Sequence, residues 1–181
     1  MSLFSLKHLK EGVSGREVLS WAAFDFANSG YTTVVLTAVF NAYFVSVICE
    51  EASWATLLWT TVIAVSNILA IVSMPLIGAA SDLKANKKFW TVLMSLICIA
   101  GTVGLAFTGT GTIVWAVLMV IVSNFAYNVG ETLNSAFLPE IADDRSIGKV
   151  SGWGWSFGYC GGLLTLGLSL GVVLAMQSKG F

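Results

Sequence analysis

The sequence predicts an all-α, polytopic membrane protein with five transmembrane helices, and three observations carry that prediction. Of its 181 residues, 56% are hydrophobic and only 10% are charged, against roughly 25% charged in soluble domains. The charges are also gathered into short stretches. Between them run Val18 to Cys49 with only Asp25, and Ala52 to Ser81, Phe89 to Gly130 and Val150 to Ser178 with none. Each interval is long enough to cross a ~30 Å hydrocarbon core, which takes about 20 residues of helix.

The elements follow in order. Residues 1–19 are mostly polar and lack the basic, apolar and small-residue progression of a cleaved signal, so they form a cytoplasmic amino-terminal segment and the first helix stays as an anchor. Within it, Ser14 to Glu17 (SGRE) matches a capping box, or else the same letters stand in a surface loop. The first span runs from about 20 to 49 and the second from about 54 to 80. The interval from Phe89 holds two more, about 88–108 and 112–135, divided by TGTGT at Thr108 to Thr112, whose residues favour a turn. The fifth covers about 150–176, and residues 177–181 form an external end.

Basic residues set the orientation, because cytoplasmic loops are enriched in Lys and Arg. Lys7, Lys10, Arg16, Lys84, Lys87, Lys88, Arg145 and Lys149 fall on one side, and only Lys179 on the other, so the amino terminus is read as cytoplasmic. An odd number of helices with an external end reads as an amino-terminal fragment.

Cys49, Cys98 and Cys160 are widely spaced and His8 lies in the leader, so neither a metal site nor another cofactor is expected. No phosphate loop, nucleophile elbow or metal-ligand spacing is present, and no catalytic residue is assigned; the chain does not read as an enzyme.

The polar residues inside the spans carry the functional signal. At about 100° per residue, Asp25, Asn28, Ser29, Thr32 and Tyr43 share one side of the first span, and Asn124, Asn128, Glu131 and Ser135 share a narrow sector of the fourth. Lipid cannot satisfy such stripes, so they are expected to face the bundle interior or a water-filled cavity. The plainer alternative is that Asp25 and Glu131 are solvated at headgroup level. Asn67, a single amide in the second span, reads as a helix-to-helix hydrogen bond. Gly154, Gly158 and Gly162, spaced by four in the fifth span, and Gly161 beside them read as a packing or rocking surface. Trp153 and Trp155 read as interfacial anchors.

The loop GAASDLKANKK, Gly78 to Lys88, joins a Gly that lets helices approach, an Asp placed to accept from a neighbouring helix start, and Lys residues facing anionic lipid. Here the chain resembles the major facilitator superfamily: Gly78, Asp82, Lys87 and Lys88 match its loop signature in order, while Leu83 and Ala85 replace its first basic residue and second Gly. REVLSWAAFDFANSGYTTVV, YNVGETLNSAFLPEIAD and GKVSGWGWSFGYCGG together resemble the vacuole-effluxer-like family within it. The fifth span lacks the Pro of the superfamily's antiporter signature.

The resemblance implies a twelve-helix transporter of which this chain holds five helices of the amino-terminal six-helix bundle, the missing carboxyl-terminal half being a partner. The expected activity is secondary active transport of a small polar solute, an amino acid as the best single guess, by alternating access. Its substrate or proton pathway is expected to involve Asp25, Asn28, Thr32, Asn124, Asn128 and Glu131, with Gly78, Asp82, Lys87 and Lys88 as a gating loop. The expected partners are membrane lipid, the small-molecule substrate and protons as the coupling ion, with no nucleic acid. The membrane is the bacterial inner membrane, or the vacuolar membrane if eukaryotic. The rival readings are a truncated membrane interaction protein without transport activity and a membrane-embedded enzyme.

Overall fold

The computed structural model describes residues 9–83 and 86–178, except the side chains of Leu83 and Gln177. The expectations at Lys7, His8, Lys84, Ala85 and the 179–181 end lie outside the described residues. Five helices are long and apolar enough to cross a membrane: α1 (Gly15–Ile48), α2 (Ala55–Leu83), α3 (Lys87–Leu105), α4 (Ile113–Ser135) and α5 (Ile147–Ser178). A single helical turn, Leu138–Ile141, precedes α5. Among the described residues there is no strand beyond an isolated antiparallel bridge between Leu9 and Ala142. The chain divides into two compact units, one of residues 1–40 with 134–181 and one of residues 41–133.

In the first unit, α1 starts at Gly15, earlier than the apolar run suggests, because the SGRE box forms. The backbone N–H of Glu17 donates to Ser14 Oγ at 3.3 Å, and the N–H of Ser14 donates to Glu17 Oε2 at 2.7 Å. Two helix-end donors are thereby satisfied reciprocally. Residues 9–13, before the cap, pack on the unit: Leu9 is buried in a cluster with Val18, Ile141, Ala142 and Val150, and the N–H of Lys10 donates to the Ile141 carbonyl at 3.1 Å. Trp153 is half-buried and packs on this cluster, while Trp155 is exposed and lies beside Tyr159.

Regular α-helix does not run the length of α1. Thr32–Ala38 and Phe44–Ile48 are π-helical, with i→i+5 hydrogen bonds that take more residues per turn. The second unit begins beyond the first π segment. There the Tyr43 hydroxyl donates to the Thr108 carbonyl at 3.0 Å, and Phe44 packs on Trp59 with ring centroids 5.1 Å apart. The turn between α3 and α4 falls on TGTGT, with Gly111 at φ +81°, where a residue without Cβ is unstrained. Gly101 lies against Ser123 across the α3–α4 pair, and the Trp115 indole N–H donates to the Gly104 carbonyl at 2.9 Å.

Candidate functional site

Asp25, Asn28 and Thr32 stand on the α-helical part of α1 and its first π residue, all half-buried. Asp25 is turned toward α5. A Cβ added at Gly158 would come 3.1 Å from Asp25 Oδ2 and 2.9 Å from Ser29 Oγ. One turn further along, a Cβ at Gly161 would collide with the Phe26 carbonyl oxygen, and one at Gly162 would meet Thr33 Oγ1 at 2.8 Å. Gly154 leaves room for the Trp21 ring in the same way, at 2.6 Å. The four glycines singled out in the sequence therefore line one seam with α1, and the carboxylate of Asp25 sits in that seam. Sequence reasoning treated Asp25 and the glycines separately, since nothing local connects position 25 to position 158.

The hydroxyls nearby are partly committed to the backbone. Thr32 and Thr33 both donate to the Ser29 carbonyl, at 3.0 and 2.8 Å, and Thr37 donates to the Thr32 carbonyl at 2.8 Å. Donation to the backbone leaves a threonine oxygen only its acceptor capacity. Tyr43, assigned to the same stripe by a constant 100° step, is a correction: the π segment breaks that step, and the Tyr43 hydroxyl donates to the Thr108 carbonyl.

In the second unit, Asn124 and Asn128 join α2. Asn124, 1% exposed, donates through Nδ2 to Ser66 Oγ and, at 3.0 Å, to Asn67 Oδ1. Asn128 Nδ2 donates to the same Asn67 oxygen at 3.0 Å and to the Asn124 carbonyl at 2.8 Å. Buried amides need such partners, and these supply them. Asn67 thus makes the interhelical bond expected of it, with the two α4 amides as donors. Asn124 is consequently a residue of the α2–α4 contact, with both Nδ2 hydrogens committed. Glu131 follows Asn128 by three residues, one turn on, and is half-buried.

The loop motif joins α2 to α3. Asp82 is 66% exposed and pairs with Lys87 at 3.5 Å, a surface ion pair of the kind worth little by itself. Lys87 is the first residue of α3, so the pair ties the carboxylate to that helix start through a side chain, and Asn86 leads into the helix without a side-chain cap. A Cβ at Gly78 would meet open space among the described residues, so no close helix approach requires that glycine there. Lys88 is exposed. Among the described residues no group of His, Cys, Asp and Glu is arranged to hold a metal ion.

The comparisons with known proteins agree with this architecture. Over 163 residues, 88% of this chain, the sequence is 28% identical to an uncharacterized MFS-type transporter, YxiO, of Bacillus subtilis strain 168, and the match spans 38% of that protein. No solved structure matches. The family model of the Major Facilitator Superfamily matches residues 3–166. With that match over most of its length and five helices apolar enough to cross a membrane, the chain belongs to the major facilitator superfamily.

Proposed function

We propose that the protein containing this chain is a secondary transporter of the vacuole-effluxer-like kind, which moves a small polar solute across the membrane by alternating access. The observation that carries the reading is that each of two carboxylates, Asp25 on α1 and Glu131 on α4, is half-buried in a stretch, 18–49 and 89–144, that contains no Lys or Arg. Intramembrane carboxylates are costly and mark substrate, ion or proton pathways.

An acidic pathway without fixed cations suits an amine or a coupling proton better than an isolated carboxylate or phosphate, and an amino acid is the substrate proposed. In this reading Asn28 and Thr32 serve the pathway beside Asp25 on α1, Asn128 serves it beside Glu131 on α4, and the Asp82–Lys87 turn belongs to gating. The amino terminus faces the cytoplasm, as the distribution of basic residues argues. The membrane is a bacterial plasma membrane, or a vacuolar one in a eukaryote.

The test is uptake of a mixture of radiolabelled amino acids by vesicles holding the full-length protein under an imposed proton gradient. Gradient-dependent accumulation above that of empty vesicles is the expected result. Uptake of none of the twenty common amino acids, with the protein shown to be inserted and folded, would overturn the amino-acid assignment.

A further inference from the structure

Hydrogen-bond direction in the α2–α4 amide cluster is fixed by one contact. The Asn124 main-chain carbonyl can only accept, so the Asn128 group 2.8 Å from it is the NH2 end. That NH2 has one hydrogen left, which goes to Asn67 at 3.0 Å, so the Asn67 atom facing α4 is its oxygen. The same oxygen takes the Asn124 hydrogen, also at 3.0 Å, and the other Asn124 hydrogen goes to Ser66 Oγ, whose own proton is donated to the Ile63 carbonyl at 2.9 Å. The chain of donors and acceptors closes in only this sense. Asn67 acts toward α4 purely as an acceptor, and it receives two successive turns of that helix at one point.

A helix held at two residues four apart cannot turn about its axis without breaking both bonds. Residues three and four apart share a helix face, so the bond to Asn128 also sets the direction of Glu131. We propose that Asn67 is a positioning residue: from α2 it fixes the rotation of α4 at Asn128 and thereby the direction in which Glu131 points. The functional weight of this rests on the assignment of Glu131 to the transport pathway, but the geometry does not.

Because only the oxygen of Asn67 is used, Asn67→Asp keeps every bond it makes to α4, whereas Asn67→Leu strands two amide hydrogens. At position 128 the polarity is opposite, and Asn128→Asp removes both donated bonds. The two Asn-to-Asp changes are of equal size and bring the same charge, so a difference between them reports bond direction.

The experiment uses full-length protein in lipid nanodiscs, with every native cysteine, Cys49, Cys98 and Cys160 among them, replaced by Ala and Glu131→Cys introduced. It reads the rate at which a membrane-impermeant maleimide modifies position 131. Asn67→Leu should shift that rate about tenfold, as expected when two amide hydrogens lose their acceptor, and Asn67→Asp should leave it within a factor of about two, the spread of a conserved bond. A cysteine at Val114, on the exposed face of the same helix, should be unaffected by either change. Equal rates in all three position-67 backgrounds would overturn the proposal. Should Asn67→Leu fail to insert, the melting temperatures of Asn67→Asp and Asn128→Asp decide: the proposal requires the second to be clearly lower, and equal losses contradict it. Neither readout involves transport, so the outcome is separable from that of the amino-acid uptake test.

Discussion

Glu50 and Glu51, directly after α1, adopt φ of 50° and 57°, the left-handed region that costs an L residue roughly 1–2 kcal/mol. The turn is held by the Glu51 N–H donating to the Val45 carbonyl at 3.0 Å and the Cys49 N–H donating to the Phe44 carbonyl at 2.9 Å. Glu51→Gly should therefore raise stability, by about 1 kcal/mol less the added freedom of the unfolded chain, read as a higher melting temperature of the purified protein. No Gly or Asn marks this turn, so its backbone was not legible in the sequence. Gly111 in TGTGT was legible for the opposite reason. Asn67 lies between these cases: an amide in an apolar helix implies a neighbouring helix as partner, but Asn124 and Asn128 are 57 and 61 residues away, a separation that no local pattern encodes.

At the scale of elements, the α1–α5 pair has the tightest packing of backbone on backbone. Gly161 lies where any Cβ would overlap the Phe26 carbonyl oxygen, and a backbone atom cannot swing aside as a side chain can. Gly167 and Gly171, on the same helix, face open space. Gly161→Ala should cost about 1–3 kcal/mol, the usual penalty of overpacking, while Gly167→Ala should be neutral or slightly stabilising, since Ala suits a helix better than Gly does. Paired thermal melts of the two variants check this, and equal effects would show that the seam does not depend on close approach. The glycine spacing announced a seam but not its partner. The π segments of α1 left no mark at all, because TTVVLTA and FVSVI are as apolar and β-branched as the helix around them. Any account of α1 by a constant angular step is therefore sound only as far as Thr32.

For the whole molecule, the membrane-spanning pattern was written in the charge distribution, since a charged residue in hydrocarbon is costly enough to keep the intervals clean. The packing of residues 9–13 before α1 was not, because Leu9 and Val13 are isolated apolar residues in a polar run, and their partners at Ile141, Ala142 and Val150 are remote in sequence. The chain spans about two fifths of the relative it matches, and the role proposed for these helices is to supply the acidic side of a transport pathway. That role is tested most directly by Glu131→Gln and Asp25→Asn in vesicles holding the full-length protein. Gradient-driven accumulation of the amino acid moved by the parent protein is compared with exchange of labelled for unlabelled amino acid at equal pH. Glu131→Gln should abolish accumulation and spare exchange, since exchange needs no net proton movement. Accumulation by both variants with an unchanged dependence on pH would contradict it.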